Sequence, residues 1–432
     1  MNKAGKSFKK FLLLWSGQLI STIGNGLTSF GLGIYVFQQT GKASGMALVT
    51  LLAFMPSLLL SAFAGVLADR YDRRLLMVLG DSLSAIGLAF ILICMLRGEA
   101  QLWQICVGVT ISSVFSSLLD PAYKATVTDL LTEEQYTRAS GLVQVAGSAK
   151  FLISPILAGF LLTVTDIKLL LVIDICTFFV TVATTLAVRR GLASKTYEHT
   201  QSFVHEIKAG WNAVSANRGV LVLVIMTSVL TFYLGVIETL SIPMLLTFTT
   251  SSVVGMIETI VASGMLVSSV IIGFLPIQKG YVNILSISLF GVGVFMAAFG
   301  FREHIVLICV AGFLFFAMLP FANTSLDFLV RTNIDNSVQG RAWALIGILS
   351  QLGFVVAYAL SGVLADYVFT PLLVEGGVLA DSVGEIIGTG LGRGMGFLII
   401  IAGMLLCVTS VILYKLKSVK MLENRGVLCT PE

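Results

Sequence analysis

Five ionisable side chains stand inside long apolar runs of this sequence: Asp81, Lys150, Asp174, Glu238 and Glu258. A charge near the centre of a bilayer costs at least about 2.5–3.5 kcal/mol. A chain that keeps one there has either a partner or a use for it. Burial disfavours the charged form of a carboxylate. Such a group can take a proton on one side of a membrane and release it on the other. The five are therefore the proton-coupling candidates. Glu238 comes first, five residues before Pro243, and Glu258 second. Each has the alternative of a hydrogen-bonded structural carboxylate. Asp81 is expected to pair with Arg73 or Arg74, and Asp174 to serve helix packing. Lys150 can reach the inner surface, pair with a carboxylate, or give up its proton.

The elements that position these groups must be membrane spans. The 432 residues are 56% hydrophobic and 12% charged, against about 25% charged in a soluble chain. Mean hydropathy is +0.96. Apolar runs of bilayer length recur near 11–37, 44–68, 75–96, 102–123, 139–164, 168–188, 219–247, 253–277, 283–301, 304–326, 342–368 and 394–414. No alternating strand pattern points to a barrel. The fold class is all-α and polytopic, with 12 transmembrane helices. Placing the N-terminus inside leaves only Lys42, Arg97, Lys168, Arg302 and Arg393 outside, with Lys150 in a span and every other Lys and Arg inside. That asymmetry puts both termini in the cytoplasm and the chain in the cell membrane.

Several chemistries find no residues to carry them. The six cysteines lack metal-like spacing and read as small apolar fillers, so no metal is expected. The histidines, His199, His205 and His304, lie in loops or at span ends, which disfavours an enzyme. No phosphate-binding loop is present. No cofactor is implied, and ATP could enter only through an ATP-hydrolysing partner. The net charge of +4 suits membrane-side loops and no nucleic acid. "GTGLGRGMG" (388–396) is expected to be a flexible lead into the last span.

The longest internal polar stretch, 189–218, divides the chain. Phe203, Ile207, Trp211 and Val214 recur in it at helical spacing, as in a helix lying on the inner membrane surface. The domains read as 1–188 and 219–414, six spans each, joined by 189–218 and followed by a tail, 415–432. The halves echo each other. Residues 118–147 parallel 320–349, and one constant offset matches Arg138 with Arg341 and Gly159 with Gly362. Parallel six-span repeats are a transporter layout.

A dense charge cluster, "GVLADRYDRR" (65–74), separates the second and third spans. Gly65, Leu67, Asp69, Arg70, Arg73 and Arg74 resemble the loop between spans two and three of the major facilitator superfamily. Asp72 departs from it, standing where glycine is usual. The resemblance implies a gate in which the aspartate meets the positive N-terminal end of span eleven. Arginines would hold the loop inside, and the glycine would let helices approach closely. "KFLISPILAG" (150–159) resembles the antiporter motif of span five through Ser154, Pro155, Ala158 and Gly159, with Lys150 replacing a glycine. "LGDSLSA", "DPA", "IDICTFF", "ETIVASGML" and "SGVLAD" occur together in order, with "EIKAGWNAVSANRG" before span seven in the same set; together they resemble the macrolide-efflux branch of the drug–proton antiporters. The span-four arginine of many proton antiporters is missing, because "VGVTISSVFSSLL" holds no base.

The resemblance implies two six-helix bundles of the major facilitator fold, rocking about a central cavity. The expected activity is export of a small amphipathic substrate, macrolide-like, in exchange for protons. Export of an endogenous peptide, lipid or siderophore-like compound is the alternative. Cavity candidates are the polar span residues Asn25, Gln144 and Asn323 and the aromatics Phe30, Phe54, Phe232 and Tyr233. Adaptable apolar walls with a few polar groups suit such a site.

Overall fold

A computed structural model describes residues 7–189, 208, 211–212, 214–275, 277, 279–334 and 339–426. Among them are twelve helices long and apolar enough to cross a membrane, from Phe8–Thr40 to Leu391–Lys415. There is no strand among the described residues. The expected surface helix of 189–218 lies mostly outside them; of its apolar positions, Trp211 is exposed and Val214 buried.

The first half runs α1 Phe8–Thr40, α2 Ala43–Arg70, α3 Arg73–Leu96, α4 Leu102–Ser116, α5 Leu119–Leu130, α6 Tyr136–Leu152, α7 Ser154–Val164 and α8 Ile167–Arg189. The second runs α9 Arg218–Leu246, α10 Ser251–Phe274, α11 Tyr281–Phe301, α12 Ile305–Thr332, α13 Gln339–Leu364, α14 Thr370–Leu373, α15 Val383–Ile387, α16 Leu391–Lys415 and α17 Lys417–Gly426. A π-helical turn, Ala365–Phe369, follows α13.

Local chemistry sets the ends of these helices. The Ser7 hydroxyl accepts from Lys10 N–H at the start of α1, and Gly41, at φ 64°, closes its end. The Asp72 carboxylate caps α3, and Asn217 caps α9. The fifth span breaks at Ile153, because Pro155 has no N–H to continue the helix of α6 into α7. The break falls within the stretch 150–159 that resembles the antiporter motif.

The chain forms two compact units. The first comprises Met1–Gly41, Leu48–Thr200 and Thr250–Thr259; the second comprises Lys42–Ala47, Gln201–Thr249 and Ile260–Glu432. In the first unit α1 packs on α6, α7 and α8, and α3 packs on α4, α5 and α8. In the second, α9 packs on α13, α16 and α17, and α11 packs on α12 and α16. Spans one and six, one and five, three and four, and three and six of each half thus repeat one pairing scheme. The weak internal echo of the sequence is a structural repeat.

Each unit also holds a short piece of the other half of the sequence. Residues 250–259, the start of α10, belong to the first unit, and residues 42–47, the first turn of α2, to the second.

Glycine makes the closest helix pairs. A Cβ on Gly353 of α13 would overlap the Ser228 carbonyl oxygen of α9. The run 388–396 is built in the same way, so it is packed where flexibility was expected. Gly388 and Gly390 take positive φ in a turn, α16 begins at Leu391, and a Cβ on Gly396 would come to 2.7 Å from the Gly300 carbonyl oxygen. Arg393, expected in an outer loop, is 1% exposed in the first turn of α16. It donates to the Gly300 and Phe301 carbonyls at the end of α11, at 2.6 and 3.0 Å.

Gly353→Val should destabilise the second unit by about 1–3 kcal/mol through overpacking. Gly347→Val should not, because a Cβ there meets nothing within 4 Å. Thermal unfolding of the two purified variants in detergent would check the contrast.

Candidate functional site

The cluster after α2 is built around Asp72 and Arg73. One Asp72 carboxylate oxygen accepts from Arg74 N–H at 3.0 Å, and the other accepts from Arg189 Nε at 3.0 Å. The residue that departs from the family pattern therefore caps α3 and fastens it to the end of α8. Arg73 donates to the Ala68 and Ala125 carbonyls, and pairs with Asp129 at 3.0 Å. It ties the ends of α2 and α5 to the start of α3. Arg70 is exposed, and Arg74 is 4% exposed with no hydrogen-bond partner for Nε among the described residues. The side chain of Asp69 lies outside the described residues.

Two expectations need correction. A Cβ on Gly65 would meet nothing within 4 Å, so this glycine makes no close helix contact here. Asp81 does not pair with Arg73 or Arg74. Arg73 turns toward Asp129, nearer its own end of the helix, whereas Asp81 sits two turns farther into α3.

The intramembrane acids form two groups. In the first unit Asp81 (1% exposed) and Asp174 (0% exposed) lie on α3 and α8, near enough for each charge to act on the other. Each has one carboxylate oxygen without a hydrogen-bond partner among the described residues. Thr177 donates to the other oxygen of Asp174 at 3.4 Å. The Lys150 charge also acts on Asp174, and its ammonium lies 5.8 Å from the centre of the Phe151 ring. Asp174 faces α1, since a Cβ on Gly24 would sit 2.9 Å from its carboxylate. A hydroxyl cluster stands one turn from Asp81, with Ser84 2.7 Å from Ser112 and 3.0 Å from Ser116.

In the second unit Glu238 accepts a 2.6 Å hydrogen bond from the Tyr358 hydroxyl, joining α9 to α13. Glu258 is half-buried, in the part of α10 that belongs to the first unit.

The antiporter-motif residues make a backbone-to-backbone seat. Ser154 donates to the Ile23 carbonyl at 3.0 Å. A Cβ on Gly159 would come to 2.8 Å from the Ser251 carbonyl oxygen, and one on Gly255 would overlap the Pro155 carbonyl. The Thr259 hydroxyl donates to the Leu152 carbonyl at 3.1 Å. Pro155, Ala158 and Gly159 are buried.

The cavity candidates scatter. Asn25, Phe54 and Phe232 are half-buried, and Gln144 and Asn323 are exposed. Phe30 and Tyr233 are buried, at 6% and 7% exposure, with the Tyr233 hydroxyl 3.5 Å from that of Thr409. None of the seven lines the cavity of about 300 Å³ in the first unit, whose walls include Tyr35, Gln38, Glu99, Asp166 and Lys168. Sequence reasoning missed Tyr358, Asp129 and Gly255. Only Tyr358 carried a signal, as a polar-tipped aromatic in a span.

A family model described as Major Facilitator Superfamily matches residues 14–358. The chain is 24% identical over 354 residues to macrolide efflux protein A of Streptococcus pyogenes, covering 80% of this chain and 87% of that protein. It resembles the crystal structure of nucleoside transporter NupG with a TM-score of 0.72 at 14% identity, over 95% of this chain and 100% of that one. For the POT family transporter PepTSo the TM-score is 0.74 at 8% identity, over 98% of this chain and 99% of that one.

Asp72→Ala should cost about 0.5–2 kcal/mol through the lost cap. Asp72→Asn, which keeps a capping oxygen and loses the ion pair, should cost less. Thermal melts of the two purified variants would rank them.

Proposed function

Because the chain belongs to the Major Facilitator Superfamily, we propose that it is a secondary active exporter of amphipathic drugs, macrolide-like antibiotics above all, driven by protons moving inward. The coarser part is established: it is a multi-pass membrane transporter and not an enzyme. The observation that carries the substrate class is the match to macrolide efflux protein A across four fifths of the chain. The seat formed by Pro155 and Gly159 supports the exporter reading, since it places the antiporter motif at a close helix contact. Export of an endogenous peptide, lipid or siderophore-like compound is the second substrate reading.

Proton coupling rests on the ionisable residues within the spans, of which Asp81 and Asp174 are buried, Glu258 is half-buried and Glu238 is exposed. Glu238 is the first choice for a specific reason. The Tyr358 hydroxyl donates to its carboxylate, and a hydrogen bond to a charged acceptor is roughly twice as strong as a neutral one. Protonating Glu238 weakens the bond that joins α9 to α13. Uptake of a proton thereby loosens one helix pair and its release tightens the same pair. Glu258 is the second choice, and Asp81, Asp174 and Lys150 complete the candidates. A macrolide amine would be repelled by Lys150 unless Asp174 offsets that charge.

Alternating access would rock six-span bundles at 1–188 and 219–414 through the linker 189–218, with the tail 415–432 inside. Asp69 would latch the inner side against the positive end of span eleven. Both termini would be cytoplasmic, as the distribution of Lys and Arg requires.

Cells producing the protein should accumulate several-fold less labelled erythromycin than cells without it. An uncoupler should erase the difference, whereas a difference that survives it would point to another energy source. Glu238→Gln should flatten the pH dependence of export in inverted vesicles. A profile of unchanged shape would take Glu238 out of the coupling step.

A further inference from the structure

The pentapeptide Gly-Val-Leu-Ala-Asp occurs twice, at 65–69 and at 362–366. The first copy belongs to the cluster described above. The second ends α13 and enters the π-helical turn, and no role has been given to it. Its aspartate is fully engaged. Asp366 accepts from Ala43 N–H at 3.0 Å through Oδ1, and from Ser44 N–H at 2.7 Å through Oδ2. These are the first two amides of α2, which no other residue of that helix can satisfy. The carboxylate therefore caps a helix more than 300 positions away in sequence and meets the positive end of its dipole.

Gly362 completes the seat. A Cβ there would lie 2.7 Å from Ser44 Cα, 2.7 Å from Ala47 Cβ and 3.0 Å from the Ala43 carbonyl oxygen. Beside it Lys42 donates to the Tyr367 hydroxyl at 3.1 Å, with its ammonium 5.0 Å from the centre of that ring. Residues 42–47 thus lie with the second unit while the rest of α2, from Leu48, lies with the first.

The repeat supplies the comparison. Gly159 matches Gly362, and Gly159 seats the first turn of α10 as Gly362 seats the first turn of α2. At the same offset Asp366 corresponds to Thr163, whose hydroxyl donates to its own helix at Phe160. The two seats share a glycine contact, and only one carries a carboxylate.

We infer that Asp366 and Gly362 form a releasable outer clasp on the first turn of α2, engaged in this structure and opened during the transport cycle. Asp366 is a positioning residue, acting through α2 and touching no substrate. Both hydrogen bonds are partly buried while the turn is seated, and a contact of two hydrogen bonds and one charge suits a clasp that lets go, because water can satisfy both amides once the turn leaves. The glycine beneath keeps the turn close enough for both oxygens to reach. The inference needs only membership of the family and not the drug or proton assignment.

Ser44→Cys, a near-isosteric change, reports on the turn. In a background whose native cysteines are alanine, a membrane-impermeant maleimide is added to intact cells and the rate of labelling is followed. Asp366→Asn should speed labelling about twofold to fivefold, the range expected for removing a charge from a helix start, while membrane abundance and melting temperature hold. Gly362→Ala, which pushes the turn away sterically, should do the same by a separate route. Unchanged labelling in both variants overturns the clasp. So does a loss of abundance and melting temperature in both without faster labelling of the folded fraction, because that is the behaviour of a fixed cap. If Asp366→Asn fails to insert, Gly362→Ala decides by the same two criteria.

Discussion

A bilayer interior offers no hydrogen bonds, and every feature of this chain answers to that constraint. A span must close its own amides and carbonyls, which makes the long elements helices. Apolar burial gives little drive for one span to choose another, since lipid tails are as apolar as leucine. The choice falls instead to close packing at small residues and to polar groups that find partners. Gly353 against Ser228, Gly159 against Ser251 and Gly396 against Gly300 are places where one backbone lies directly on another. The polar contacts concentrate at span ends, where Arg73, Asp72 and Arg393 spend their hydrogen bonds on helix termini.

The same constraint gives the intramembrane acids their meaning. Asp81 and Asp174 are buried in one unit with unpartnered oxygens, an arrangement that a structure built only for stability would replace with apolar side chains at little loss. Glu238 solves the problem differently, through a tyrosine hydroxyl on a neighbouring helix. A proton arriving at either place changes which hydrogen bonds the surrounding helices can keep. That change would be the physical content of the proposed proton coupling. It requires no basic residue in the fourth span, which has none.

The number and order of spans were legible in the sequence because hydropathy over 20 residues is a local property. The repeat was legible too, through Arg138 with Arg341 and Gly159 with Gly362. Partner choice was not. Nothing in the periodicity of α3 says that Arg73 turns to Asp129 and leaves Asp81 alone, since the deciding carbonyls belong to Ala68 and Ala125 on other helices. Gly65 and Gly159 look alike as small residues, and only the neighbours reveal that one faces open space and the other a backbone. The glycines of 388–396 read as flexible for the same reason. Glycine signals freedom when its surroundings are empty and close packing when they are full.

Helix α13 draws these threads together. Tyr358, Gly362 and Asp366 follow one another at intervals of four, so they share a face of the helix and its π-helical extension. The first holds Glu238, the second seats the first turn of α2, and the third caps it. A rigid helix transmits a displacement along its length with little loss, and eight positions span only about 12 Å. Under the proposed coupling, a change in the hydrogen bond at Tyr358 would tilt or turn the segment that carries Asp366. Caps depend on direction as well as distance, so a small rotation suffices to pull one carboxylate oxygen off its amide. Asp366 itself stands in the π-helical turn, Ala365–Phe369, which leads from α13 into α14. In the turn that follows, Thr370 and Leu373 are buried, and the turn packs against α16.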